Sequence, residues 1–373
     1  MAKRPTATAS APTPAVAPPM PWLQPQLQAL LRQSGHALLL EGPSGLGQFE
    51  LGLAWAQAVL CEAQPAADGA PLQPACGQCE SCHAMAVHTH PDLLVLLPEA
   101  LQLQWGWAAA PEAEGDAKRK PSREIRVEAM RQMITFSQRT DARGRGKVVL
   151  VYPAENMNLV TANALLKTLE EPPGNTRFVL ASQAAHRLLP TIRSRCHAWK
   201  MQWPDAEQVQ QWLAASGAAA PQIEAALAAA GGRPQDAWAL LQAGFDAQQW
   251  LALPGQLAQG RPGWLAEATP SQAIAVLQQI CHDAMALVAG AAPRYFSRAA
   301  LAACLPGWAV AGPQAEAVQA GAAAAQRQRA FERLGRWSAE LLQAARTSEH
   351  PYAQELMLAA LVEQARSALN LRA

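Results

Sequence analysis

Two short runs of this chain hold residues whose type and spacing could do chemistry. Residues 42–49 read GPSGLGQF, close to the phosphate loop G-x-x-x-x-G-K-[ST]. In that loop glycines let backbone N–H groups converge on phosphate oxygens, a lysine neutralises charge and a hydroxyl holds magnesium. Gly42, Gly45 and Gly47 keep the scaffold, but Gln48 stands at the lysine position and Phe49 at the hydroxyl position. A triphosphate would lose its main cation and its metal ligand there, and the glycines alone also suit an ordinary strand-to-helix turn. A nucleoside triphosphatase further needs acidic residues at the end of a central strand. The strand here ends VVLVYPAEN, with Tyr152 and Pro153 at those places and Glu155 two residues late.

The second run is CGQCESC, which carries Cys76, Cys79 and Cys82. Two C-x-x-C steps sharing Cys79 let three thiolates face one point. Cys61, at the end of the preceding helix, can supply the fourth ligand of a tetrahedral zinc. Such a closed site would be structural, with no open position for water. One of His83, His88 and His90 could replace Cys61, and a redox pair or unligated cysteines are the competing readings.

Two other stretches are bland by themselves. LLPTIRSRCHAWK places Ser194, Arg195 and Cys196 at the end of a helix and before a last strand. A guanidinium offers a fixed fork of donors suited to phosphate oxygens, yet an exposed arginine is ordinarily a solvated residue or a salt-bridge partner. ANALLKTLEEPP, residues 162–173, reads as a helix ended by Pro172 and Pro173. Leu165, Leu166 and Leu169 form its packing face, with Lys167, Glu170 and Glu171 on the polar face.

The elements that must position these residues are legible as apolar runs: HALLLEG at 36–42, DLLVLLP at 92–98, KVVLVY at 147–152 and RFVLAS at 177–182. Amphipathic stretches such as LGQFELGLAWAQAVL, IRVEAMRQMITFSQR and NLVTANALLKTLEE lie between them. Near-continuous apolar strands alternating with helices imply a parallel sheet covered on both faces. Residues 21–204 are therefore expected to form one α/β domain containing the cysteine module at 61–82. Residues 98–124, of mixed charge and without a period, read as a mobile surface insertion. After Pro204 the strand signals stop, and a small helical lid over 205–246 and a helical domain over 247–373 are expected.

Composition bounds the rest. A chain of 373 residues, half of them apolar, is long enough for two or three domains with their own cores. With 30 Lys+Arg against 29 Asp+Glu, no global charge announces a nucleic-acid binder or a membrane-surface protein. No apolar run is of membrane-spanning kind. Residues 1–20, rich in Pro, Ala and Thr, lack the apolar core of a secretory signal and read as a disordered tail. Cysteine usage is unlike a disulfide framework and fits a reducing cytoplasm.

Taken in order, EGPSGLGQ, CGQCESC, THPDLLVL, IRVEAMRQ, GKVVLVY, ANALLKTLEEPPGNTRFVLAS and LLPTIRSRC resemble the clamp-loader branch of the AAA+ ATPases. The resemblance runs through most of 21–204, is faint over 205–245, and beyond 247 rests on position and helical character. It implies an AAA+ α/β domain, a helical lid and a helical C-terminal collar that joins other clamp-loader subunits in a hetero-pentamer. It further implies a ring member that hydrolyses no ATP and binds none. Such a member presents a Ser-Arg-Cys arginine finger, here Arg195 flanked by Ser194 and Cys196, to the ATP of a neighbouring subunit. Its complex acts on a sliding clamp and primed DNA in replication. The family's zinc module maps onto Cys61, Cys76, Cys79 and Cys82, with a longer gap after Cys61 than is usual. A lid arginine that touches nucleotide in ATP-binding relatives, in the pattern G-x-x-R-D-A, is replaced in GRPQDA by Gln235, with Arg233 nearby. The competing reading is an AAA+ ATPase with a degenerate but working site. A zinc-dependent DNA-binding module is disfavoured for want of a basic, aromatic-interleaved stripe.

Overall fold

The four apolar runs form strands, and a fifth follows the Ser-Arg-Cys stretch. In the computed structural model, which describes residues 19–64, 71–107, 121–305, 308, 320–347 and 354–370, the strands are β1 (Ala37–Glu41), β2 (Leu93–Leu96), β3 (Lys147–Val151), β4 (Thr176–Ser182) and β5 (His197–Lys200). The tail expected over 1–20 lies outside the described residues except for its last two. The strands make one sheet in the order β2-β3-β4-β1-β5. Every pairing is parallel, with Leu39 opposite both Leu180 and Ala198, and Val149 opposite Phe178 and Leu94.

Side chains alternate between the two faces, and both faces are covered. Leu39, Val149, Val151, Phe178 and Leu180 share a core with Met130, Met133, Leu165, Leu169 and Ile192. Those partners come from α5 (Val127–Gln138), α6 (Leu159–Glu170) and α7 (Pro190–Arg193). On the other face lies α2 (Gln48–Leu60), with α1 (Leu23–Leu30) against it. The approach of α2 is close enough that a Cβ on Gly52 would stand 2.9 Å from Leu150 Cδ1 and 3.1 Å from Val179 Cγ1. The parallel sheet covered by helices on both faces, expected from the sequence, is thus the layering found. Because all strands run one way, their carboxyl ends gather the Gly42 loop, Tyr152 and Ser182 on one edge, where ligands of open α/β sheets bind.

The chain divides into two compact units, residues 18–212 and a second that contains residues 213–373. The second unit is helical throughout its described residues. Its core joins Leu253 and Leu257 to Ile274, Leu277 and Ala284, and to Trp337, Leu341, Leu361 and Val362 from helices Ala320–Thr347 and Gln354–Leu369. A capping box starts its helix Pro270–Val288: Gln272 N–H donates to Thr269 Oγ1 at 3.4 Å and Thr269 N–H to Gln272 Oε1 at 3.0 Å. Asp283, fully buried, accepts the backbone N–H groups of Arg294, Tyr295 and Phe296 at 2.7–2.8 Å and so fixes the turn that follows this helix. Among the described residues no helix is long and apolar enough to cross a membrane.

Candidate functional site

The loop after β1 has the shape of a phosphate loop and is filled by its own side chains. Gly45 (φ 78°) and Gly47 (φ 95°) occupy the left-handed region, which permits the turn into α2. A side chain at Gly47 would also meet Leu23 Cδ1 at 3.0 Å and Met20 Sδ at 3.1 Å. Gln48 is buried, and its amide donates to the carbonyls of Gly42 at 2.8 Å and Pro43 at 2.6 Å. The residue at the lysine position therefore turns back onto the loop. Trp22 Nε1 closes it from the outside by donating to Leu46 O at 3.0 Å.

Phe49, at the hydroxyl position, is 7% exposed and packs in an aromatic cluster. Its ring centroid lies 4.9 Å from Trp105, 6.0 Å from Trp107 and 5.4 Å from Tyr152. Trp105 stacks on Tyr152, and His88 on Trp107 at 3.8 Å. Aromatic pairs at separations of this order contribute about 0.5–1.5 kcal/mol each beyond area burial. Gln183 Nε2 donates to the Tyr152 hydroxyl, and Glu155 accepts from Ser182 Oγ at 2.8 Å and Gln183 N–H at 3.1 Å. The strand-end positions where a hydrolase keeps acids thus hold a network satisfied within the chain.

Trp105 and Trp107 come from the stretch expected to be a mobile surface insertion. Its described part contains a helix, α4 (Glu99–Gln104). Its two ends are tied together, Ala100 N–H donating to Ser122 O at 3.0 Å and Ser122 N–H to Glu99 Oε2 at 3.0 Å. A six-residue helix is too short to show a period, so the sequence concealed the element and its two indoles. Residues 108–120 lie outside the described residues.

Arg195 sits between α7 and β5 with its side chain about one-third exposed. Nη1 donates to Thr191 O at 3.0 Å and to Ser194 Oγ at 3.3 Å, while Nη2 pairs with Glu170. Ser194 Oγ donates to Thr191 O at 3.1 Å. Cys196 packs against the sheet core, and burial pushes its thiol up to about 11. The loop is therefore held by Ser194 on one side of the arginine and by an apolar sulfur on the other. In the helical unit Arg233 pairs with Asp236.

The four cysteine sulfurs of the expected metal site lie within 4.8 Å of one another. Cys61 Sγ is 3.9 Å from Cys79 Sγ, and Cys76 Sγ is 4.0 Å from Cys82 Sγ. A tetrahedron with metal–sulfur bonds of about 2.3 Å has edges of about 3.8 Å, so the donor set fits a four-coordinate thiophilic ion. Cys61 joins the set. His90 Nδ1 instead accepts Asp92 N–H at 3.1 Å, and His88 is engaged with Trp107. Backbone N–H groups point at the sulfurs: Gln78 and Cys79 at Cys76 Sγ, Cys82 at Cys79 Sγ and Cys76 at Cys61 Sγ, each at 3.4 Å. The Gln78 and Cys79 bonds bring Cys76 down to about 6, whereas burial pushes Cys82 up to about 12 and raises Cys61.

The long gap after Cys61 is closed by Gln64, which is buried. Its amide donates to Ala58 O at 2.9 Å and Gln73 O at 2.6 Å and accepts Gln73 N–H at 2.8 Å. That staple returns Cys76 to Cys61. Outside it, Arg145 Nη2 donates to Glu62 O at 2.8 Å, and Arg143 pairs with Glu62 and Glu80.

Residues 23–205 match the family model described as DNA polymerase III, delta subunit. The chain is 41% identical over 241 residues to DNA polymerase III subunit delta' of Pseudomonas aeruginosa, covering 62% of this chain and 66% of that protein. It is 34% identical over 238 residues to the protein of the same name from Escherichia coli, covering 62% of each. The alignments thus span less than two thirds of either relative. A solved DNA polymerase III gamma subunit-related protein from Thermotoga maritima is similar at 17% identity over 92% of this chain and 99% of that one, with a TM-score of 0.39.

Proposed function

We propose, from the match of residues 23–205 to the DNA polymerase III delta-subunit family model and the similarity to delta-prime relatives, that this chain is a delta-prime-type clamp-loader subunit. It hydrolyses no ATP itself. It presents Arg195 as an arginine finger to the ATP bound on a neighbouring subunit, with Ser194 and Cys196 holding the loop that carries it. A finger of this kind stabilises charge on the transferred phosphoryl and is worth about 10³–10⁵ in rate where measured in GTPases. The helical region over 247–373 joins the ATP-binding neighbour and the delta subunit in a hetero-pentamer. Through that complex the chain acts on a sliding clamp and primed DNA in DNA replication in the cytoplasm. Cys61, Cys76, Cys79 and Cys82 hold a structural zinc, which ties the end of α2 to α3 (Glu80–Ala86).

One observation carries this reading: the cleft at the loop is occupied by Gln48, Phe49, Trp105 and Tyr152, while Arg195 lies at the surface. A chain used for its finger needs the fold and not the nucleotide. Titration of the isolated chain with ATP and magnesium tests it, and no binding at millimolar nucleotide is expected. Stoichiometric micromolar binding would favour the alternative, an AAA+ ATPase subunit with a degenerate but working site.

A further inference from the structure

Glu170 is the last residue of α6, just ahead of the Pro172-Pro173 stop. A carboxylate is unfavourable at a helix C-terminus, where the backbone dipole already presents negative charge. Here it meets the Arg195 guanidinium, brought alongside by the packing of α7 on α6. Glu170 and Arg195 are both partly exposed, at 49% and 36% of their side chains. Neither serves as core packing.

The donors Arg195 would aim at a triphosphate are the ones engaged on its own surface. Nη2 faces Glu170, and Nη1 faces Thr191 O and Ser194 Oγ. A guanidinium grips phosphate oxygens with two parallel N–H groups, and three of its five donors are taken here, so a grip through its Nη1–Nη2 end has to displace at least the Glu170 carboxylate or one of the Nη1 contacts. We propose that Glu170 parks Arg195: it is a positioning residue that holds the finger on its own subunit until a neighbour's nucleotide, with several negative charges, displaces the single carboxylate. This rests on the reading of Arg195 as a finger in trans. A solvent-accessible pair of this kind is weak. Parking therefore lowers the competent fraction, and with it the apparent nucleotide affinity, by only a few fold.

The test is steady-state ATP hydrolysis by the reconstituted loader with clamp and primed DNA, carrying the full chain as wild type, Glu170→Gln, Arg195→Ala or both. Glu170→Gln is expected to lower the KM for ATP by about two- to fivefold with kcat unchanged, because release of the finger helps ground state and transition state alike. In the Arg195→Ala background the same change is expected to do nothing. A fall in kcat would overturn the proposal by showing that Glu170 supports the engaged finger. An unchanged KM, or an equal drop in KM without Arg195, would overturn it as well. Arg195→Ala running at the wild-type rate would instead remove the finger reading itself, whatever Glu170→Gln does. Closely matching unfolding midpoints of the four isolated chains would exclude a folding artefact.

Discussion

Gln48, at the lysine position of the phosphate-loop pattern, plays a structural part in its loop. Its amide reaches two carbonyls inside the loop, and the side chain that does so is itself buried. Gln48→Ala is expected to destabilise the α/β unit by about 1–3 kcal/mol, the cost of leaving such groups unpaired, read as a lower urea midpoint. The cysteines make a second residue-scale expectation. In the metal-free chain at neutral pH, Cys76, exposed and brought down to about 6, is largely thiolate. Cys82, pushed up to about 12 and buried, is fully protonated. Iodoacetamide followed by peptide mass spectrometry should therefore label Cys76 well before Cys82. Raising the pH should narrow the gap, because the thiolate fraction of Cys82 grows while that of Cys76 is already near its limit. The sequence displayed the cysteine cluster plainly, since the spacing itself is the signal. It displayed Phe49 only as a lost hydroxyl, because the partners that bury that ring come from residues far along the chain.

Elements were legible where they are long and periodic. The four apolar runs and the amphipathic stretches of α2, α5 and α6 carry enough turns or alternations to announce themselves. Six-residue α4 does not, and neither does the staple formed by Gln64, whose partner Gln73 lies across a loop of arbitrary length. Both act on the candidate sites. Trp105→Ala is expected to remove about 1–3 kcal/mol by stripping Phe49 and Tyr152 of an aromatic neighbour. It should leave the metal module intact, since the sulfurs take their backbone hydrogen bonds from Cys76, Gln78, Cys79 and Cys82. Gln64→Ala should do the reverse: the loop end that returns Cys76 to Cys61 is loosened, and zinc affinity falls about tenfold, measured by competition with a chromogenic chelator. If Gln64→Ala left zinc affinity unchanged, the module would be held by its Cys-x-x-Cys steps alone and the staple would be irrelevant to it.

On the scale of the molecule, the proposed function separates the parts of an ATPase site. The α/β unit keeps the sheet, the glycine turn and the helix that in a working enzyme surround a nucleotide, with Gln48 bonded into the turn and Phe49 packed against Trp105 and Tyr152. It also keeps a surface arginine braced by Ser194 and followed by a half-buried Cys196. Nothing in the sequence around Arg195 distinguished it from any solvated arginine until the other motifs were read with it. A finger in trans acts on a nucleotide outside its own chain, so single-chain periodicity cannot reveal it. The helical unit, with Asp283 and the Thr269–Gln272 box fixing its long helix, supplies a second body suited to the proposed collar. The central claim is that this chain contributes catalysis to a site it does not own. The most direct measurement is ATP hydrolysis by the reconstituted loader, with clamp and primed DNA, comparing wild type with Arg195→Ala while assembly is followed by size-exclusion chromatography. A drop in kcat of about a hundredfold or more with the complex intact is the expected result. An unchanged rate in an intact complex would contradict the account and leave Arg195 a surface residue paired with Glu170.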